Sequence, residues 1–428
     1  MKRYLTGIDW IVNSIDYADK AQSRIGNHSE VVLELKNPPD HHCLGELLNN
    51  FIKKFPLLTG YPSRAINLCP YWKAPSVKKT LPVWLNFIVI KHDELQYLQP
   101  LATQVNSAFH SKREHLVFTL VETPSRTFLG MTFDHRILDA KGAEAFLHLF
   151  QQFYENKKTP QISLACPPHL NHWIEKLLAG RQINRFLLNL TKKETPRTLP
   201  FYPGSQPCKF KVIHFTPEQS ERLTNAAYLR AGYLMFMPYA LAKSIQIMHK
   251  IFQENNIAGQ TYIIPVPVDT RTKEEAQKEV LFNHFSFFIF KISAEKIDNL
   301  SELLAEIKTQ MYEQVKNKVP EAIVNASFLM RIASLPMVNF FLKLMLKKQF
   351  ASFSFSYLSN AYQHNKLMQE NILNIFHLPR IPKPPGIGIF FNQFENKINI
   401  TLSYFDVLLN AAQVTQITNS LEALGNEE

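Results

Sequence analysis

The chain has 428 residues, 46% of them apolar and 19% charged, with 32 Phe and 15 Tyr. That length exceeds one ordinary hydrophobic core and suits two domains of roughly 200 residues each, and the composition excludes a disordered chain. A formal net charge of +11 favours an anionic contact such as a phosphorylated cofactor, an acidic carrier protein or a membrane surface. No zinc-finger, RNP-like or basic-region pattern is present and the Lys and Arg residues are scattered, which argues against nucleic acid.

The opening MKRYLTGIDWIVNSIDYADK has acidic residues by position 9 and no continuous apolar run, so it does not read as a secretory signal; a helix is expected around Asp9 to Ala18. SEVVLELK then alternates apolar and polar residues as a strand does, and CLGELLNNFIKKFPLLTG is apolar at helical spacing until Pro56 and Gly60 close it. Strands are expected at VWLNFIVIK (83–91), HLVFTLVET (115–123) and RTFLGMTFD (126–134). The apolar period then changes from two to 3.6 in AEAFLHLFQQFYENKK. A strand therefore delivers His135 to a short turn containing Gly142, and a helix leaves that turn.

From Cys166 to Lys209 the chain carries prolines at 167, 168, 196, 200, 203 and 207 and a basic KKETPR patch, the composition of a crossover between domains. The expected division is 1–165, a crossover over 166–208, and 209–428. The second half restarts with the strand FKVIHF, one helical run from PEQSERL to HKIF, the strand TYIIPVPVD, the polar loop TRTKEEAQKEV and the apolar strand FNHFSFFIFKI. GIGIFFNQF and KINITLSYF close it as two further strands. Strands with flanking helices in each half predict an α/β protein of two similar sandwiches with antiparallel or mixed sheets.

One stretch, Ala326 to Phe350, is apolar enough to suggest a membrane, but Arg331, Pro336, Asn339 and Lys343 interrupt it before a span of about 20 apolar residues is reached. Two readings stand: a buried amphipathic helix pair, or a basic interfacial helix touching anionic lipid. Cys43, Cys69, Cys166 and Cys208 lie far apart without a CxxC pair, which predicts a reducing compartment and a cytosolic protein, peripheral at a membrane under the second reading.

The residues with chemistry centre on His135-Arg-Ile-Leu-Asp139. An imidazole at a strand end, with a pKa near 6.5, accepts a proton from an attacking hydroxyl or amine at neutral pH. The spacing alone is weak in a chain with 15 His. Asp139, past the turn, is expected to hold the loop by pairing with a distant cation rather than to act on substrate. His41-His42-Cys43 is half of a metal site with no second cluster at zinc-like spacing, and reads as a surface loop before a helix, so no metal is expected. Ser286 has no GxSxG elbow around it, and no phosphate loop of the GxxxxGK[ST] or GxGxxG kind occurs.

LTGIDWIV, LLNNFIKKFPLLTG, FDHRILDAKGAEAFL, IIPVPVDTR followed by Phe282-Asn283, and FSYLSN occur in that order over most of the chain. Together they resemble the motifs of the chloramphenicol acetyltransferase-like superfamily. That superfamily includes peptide synthetase condensation domains, plant BAHD acyltransferases and bacterial wax ester synthase/diacylglycerol acyltransferases. The resemblance implies two chloramphenicol acetyltransferase-like domains with a tunnel at their interface. An acyl group would pass from a CoA or carrier-protein thioester, the co-substrate, to a small-molecule alcohol or amine, with no bound cofactor and no covalent enzyme intermediate. His135 would be the base and Asp139 would pair with Arg271. Asn283, Ser359 and Asn360 are the candidates for contacting substrate and its oxyanion, with Gly142 beside them. The chain departs from the pattern at Ala140 and Phe282, where the superfamily has glycine, and at Asp134, where the wax ester branch has histidine. AYQH replaces Val-Pro-Gly-Pro after the Ser-Asn pair, and no DFGWG motif occurs near the C-terminus. The alternative is a catalytically diverged homologue that binds a lipid or protein partner at the domain interface.

Overall fold

The computed structural model describes residues 2–75, 81–91, 94–156, 161–164, 166–191, 197–200, 206–257, 261–272, 274–345, 351–359, 362 and 365–427. The first half runs β1 (Lys2–Tyr4), α1 (Gly7–Ser23), β2 (His28–Leu35), α2 (His41–Ile52), β3 (Tyr61–Arg64), β4 (Pro70–Lys73), β5 (Trp84–Val89), α3 (Leu98–Val105), β6 (Leu116–Glu122), β7 (Thr127–Asp134) and α4 (Ala140–Asn156). After α5 (Trp173–Thr191), the second half runs β8 (Cys208–His214), α6 (Pro217–Ala231), α7 (Phe236–Glu254), β9 (Thr261–Asp269), β10 (Phe285–Ser293), α8 (Leu300–Lys316), α9 (Val319–Ser327) and α10 (Leu335–Met345). It closes with β11 (Ser354–Leu358), β12 (Lys366–Leu367), β13 (Glu370–Pro379), β14 (Ile387–Phe394), β15 (Lys397–Phe405) and α11 (Ala411–Glu422).

The strands form mixed sheets. One has the order β12-β13-β2-β7-β6-β5 and another β11-β14-β15-β8, with β9–β10 as a two-stranded ribbon and β1-β4-β3 as a small sheet. β5 runs parallel to β6 and β11 parallel to β14, and every other pairing is antiparallel. The pairing of β13 with β2, Phe376 opposite Val32, carries a strand from the end of the chain into the sheet of the first half. That pairing also joins the cores. Val32, Val121 and Phe128 of the first half pack in one apolar cluster with Phe210, Leu241 and Phe391 of the second.

The elements expected from periodicity are present, with differences that have physical causes. The crossover contains α5, a 19-residue helix whose Ala179 and Ile183 pack on Val319 and Ala322 of α9. Prolines flank it but none lies inside it, so the proline count described its ends and not its middle. The single helical run from PEQSERL to HKIF is two helices, because Gly232 takes φ +105 and Leu234 φ +58, conformations that end an α-helix. His41, His42 and Cys43 form the first turn of α2 and not a loop: the Asp40 carboxylate accepts the Cys43 N–H as the N-cap at 2.7 Å. The stretch from Ala326 becomes the end of α9, a 3-10 turn at Phe328–Ile332 and α10, and no helix among the described residues is long and apolar enough to cross a membrane.

Candidate active site

β7 is an interior strand of the six-stranded sheet, between β2 and β6, and is buried along its whole length, with His28 of β2 opposite Asp134 at its end. His135 continues the ladder by one residue, its N–H donating to the Asn27 carbonyl at 2.9 Å. The chain then turns inward. Ile137 and Leu138 are fully buried, and α4 starts at Ala140. Ala140 is not among the residues with positive φ, so the glycine it replaces is not required by the backbone here.

A segment from the second half, Glu279 to His284, clasps this turn. The Phe282 N–H donates to the Ile137 carbonyl at 2.6 Å, and Leu138 and Phe282 form a parallel bridge. Phe282 has φ +75, the left-handed region in which glycine is comfortable and a bulky residue costs about 1–2 kcal/mol. Its ring offsets that cost by complete burial, edge-on to Trp72 with centroids 5.8 Å apart and with the Arg3 guanidinium 3.9 Å from its centre. Gly142 lies in the first turn of α4, where a Cβ would come within 2.4 Å of the Val280 carbonyl oxygen.

Asp139 ties the clasp together. Its carboxylate accepts from Arg271 at 2.9 Å, from the Gly142 N–H at 2.7 Å and from the His284 N–H at 2.9 Å. Burial alone would raise its pKa, but Arg271 and these donors hold it below the usual carboxylate value. Arg271 also donates to Asp269 at 2.8 Å and to the Glu279 carbonyl at 3.0 Å, and Lys141 pairs with Asp269 at 3.1 Å. All of these groups hold one another across the two halves.

Asn283 holds the imidazole. Its side-chain N–H2 donates to the His135 carbonyl at 3.0 Å and lies 3.5 Å from Asp9 Oδ1, while its backbone N–H donates to the same Asp9 oxygen at 3.0 Å. The amide oxygen is thereby turned toward His135 Nδ1, 3.2 Å away. An oxygen in that place accepts Nδ1–H and selects the tautomer whose Nε2 carries a lone pair. Nε2 has no hydrogen bond to protein among the described residues. Asp9 is completely buried; burial raises its pKa, and the charge of Arg3, with the Thr6 and Asn283 N–H groups, brings it below the usual value. It is also the N3 residue of a capping box with Thr6 that starts α1. Neither this capping box nor the reach of Asp9 to Asn283 was read from the sequence, which placed a helix around Asp9 to Ala18.

Asp134 is buried beside the site in an ion network, bonded to the Arg136 guanidinium at 2.9 Å and to His115 Nδ1 at 2.9 Å, with Asp16 3.3 Å from Arg136. Burial works against its charge, yet Arg136 and His115 keep its pKa well below the ordinary value. At the position where the wax ester branch has the first of its two histidines, the chain has a structural carboxylate.

His135, Asp139 and Ala140 lie on the wall of a cavity of about 1190 Å³. α1 contributes Val12, Ile15 and Ala18, the ribbon contributes Pro265, Phe285 and Phe287, and β11 contributes Phe355 and Tyr357. The cavity is therefore built from both halves and is mainly apolar. Asn283 and Gly142 are buried behind the wall, not on it. Ser359 is exposed beyond the end of β11 and does not join the group, and Asn360 lies outside the described residues. Among the described residues no group of three or more His, Cys, Asp or Glu is placed to hold a metal.

The sequence did not point to one polar corner of this cavity. Asp19 of α1 lies 3.9 Å from Arg380, which is anchored on the Gly26 carbonyl at 2.9 Å and the Ser23 hydroxyl at 3.0 Å. Burial pushes the Asp19 carboxyl up to about 7, with Asp16 adding to the rise and Arg380, Lys383 and Lys20 opposing it. The folded state thus binds this proton at higher pH than the unfolded chain does, so the site opposes folding increasingly as pH rises from about 4 to about 7. Asp19→Asn is expected to stabilise the protein more at pH 8 than at pH 5, by about 1–3 kcal/mol in urea unfolding. A benefit independent of pH would show that the carboxyl is ionised throughout.

No family model matches the chain, and no curated protein matches it in sequence. Solved structures match it in fold. The first condensation domain of the calcium-dependent antibiotic synthetase, in complex with a substrate analogue, has a TM-score of 0.72 at 13% identity, over 99% of this chain and 96% of that one. The trichothecene 15-O-acetyltransferase of Fusarium sporotrichioides has a TM-score of 0.68 at 11% identity, over 99% and 95%. The epimerization domain of the third module of tyrocidine synthetase B has 0.63 at 13%, over 99% and 95%. Over its whole length the chain shares the two-lobed fold of these condensation, acetyltransferase and epimerization domains.

Proposed function

We propose that the chain is an acyltransferase that moves an acyl group from a CoA or carrier-protein thioester to an alcohol or amine, with His135 as general base. The observation that carries this reading is the imidazole itself: its Nδ1 faces the Asn283 amide oxygen, and the ring lies on the wall of an apolar cavity shared by both halves. In the step proposed, Nε2 takes the proton from the acceptor O–H or N–H as the acceptor heteroatom bonds to the thioester carbonyl carbon. The C–S bond then breaks, and the sulfur leaves as thiol with the proton that the imidazole returns. The carrier-type donor is in keeping with the condensation-domain fold, and the mainly apolar wall suits an acyl chain or an apolar acceptor. Asp139 and Arg271 act as positioning residues in this scheme, holding each other and the turn that carries His135.

The non-catalytic alternative, a lipid- or protein-binding descendant, has Ala140, Phe282 and the replacement of Val-Pro-Gly-Pro by AYQH in its favour. Ala140 has no positive φ and the Phe282 ring is packed in the core, and an imidazole on the cavity wall speaks for catalysis. The test is thiol release from a panel of acyl-CoAs and acylated carrier protein with alcohol and amine acceptors, run on the protein and on His135→Ala. Acceptor-dependent release in the first and its loss in the second is expected. Equal rates in the two would overturn the proposal.

A further inference from the structure

α10 and the first half of α5 turn apolar side chains to solvent. On α10, Met337, Phe340, Phe341 and Leu344 recur at i, i+3, i+4 and i+7, so they form one stripe along the helix. Phe340 is 62% and Leu344 64% exposed, while Val338 on the other side is fully buried and the helix packs on α1. α5 repeats the arrangement. Trp173, Ile174, Leu177 and Leu178 are exposed, although Ala179 and Ile183 are used in packing on α9.

The two stripes adjoin through the turn that leads into α10. Lys176 of α5 lies over the Phe328 ring at 5.2 Å, a Cβ on Gly180 would stand 3.0 Å from Leu329, and the exposed Ile332 ends the turn. Basic side chains flank this face: Lys176, Arg181 and Arg185 on α5 and Lys343 on α10, against one acidic residue, Glu175, in the first turn of α5. α10 is also a wall of the cavity, through Asn339, Leu342 and Lys343. Two rows of exposed aromatic and aliphatic side chains on either side of one turn mark an interaction site, and their pairing with lysine and arginine matches an anionic lipid surface.

We propose that this face docks on an anionic membrane surface, its apolar stripes entering the boundary between headgroups and acyl chains and its basic side chains meeting the lipid phosphates. The helix that forms this part of the cavity wall then lies against the bilayer. The proposal is independent of the acyl-transfer reading and its test needs no activity.

Flotation compares vesicles of phosphatidylcholine with vesicles of phosphatidylcholine containing about one third phosphatidylglycerol. Binding to the mixed vesicles is expected to be about 10-fold stronger or more, and to weaken as salt is raised. Phe340→Ser with Leu344→Ser is expected to lower it by about 10-fold or more, with the thermal transition unchanged because both side chains are already in water. Arg181→Glu with Arg185→Glu is expected to remove the preference for the anionic vesicles. Absence of flotation, or flotation equal in the Phe340/Leu344 variant, overturns the proposal. So does self-association in solution that those two substitutions abolish without any vesicle binding, which assigns the face to a second copy of the chain.

Discussion

His135→Ala is expected to lower acceptor-dependent thiol release by about 100- to 10,000-fold while leaving the urea unfolding midpoint nearly unchanged. The rate falls because the only group proposed to take the acceptor proton is gone. The fold persists because the ring is partly exposed on a cavity wall, and its anchoring bonds through N–H and C=O belong to the backbone. Asn283→Ala separates positioning from chemistry. Without the amide oxygen the imidazole is free to place its proton on either nitrogen, and kcat is expected to fall by about 10-fold with KM little changed. In the His135→Ala background the same change is expected to cost nothing further, since Asn283 acts through the ring. A full additional loss in the double variant would assign Asn283 a role of its own toward substrate.

Arg271→Met is expected to destabilise the protein by about 3–5 kcal/mol at pH 7 in urea unfolding, the effect of leaving one member of a buried ion pair alone. Asp139 keeps its two backbone donors but loses the charge that compensates its burial. The pH dependence gives the sign. With its pKa depressed, Asp139 contributes stability above its unfolded value near 3.8, and that contribution is lost as pH falls through the lower folded value. Without Arg271 the buried carboxyl prefers its neutral form, so the penalty is expected to shrink as pH is lowered from about 7 toward about 4.5. Asp139→Asn in the Arg271→Met background is expected to recover part of the loss at neutral pH. A cost under about 1 kcal/mol for Arg271→Met would mean that the clasp between the halves does not depend on this pair.

Much of the site was legible because it is encoded locally. The alternating TFLGMTFD and the helical spacing of AEAFLHLFQQF put His135 and Asp139 at a strand-to-helix turn, and the structure has β7 and α4 there. Arg271 and Asn283 were reached only through the order of motifs along the chain, and the structure brings both to that turn. Ser359 was reached in the same way and stands apart from it, one residue beyond the strand whose side chains do line the cavity. Gly142 was read as part of the turn and is instead in the helix, placed there by close approach to Val280.

Local periodicity thus determined the strands, most helices and the position of the imidazole, since backbone hydrogen bonding and one-sided burial act over a few residues. Tertiary structure alone decided which groups surround that imidazole. Asp9 meets Asn283, Arg380 meets Asp19 and β13 joins β2 from opposite ends of the chain. A buried carboxylate needs a compensating charge wherever the fold can supply one, so nothing in the neighbouring sequence announces its partner.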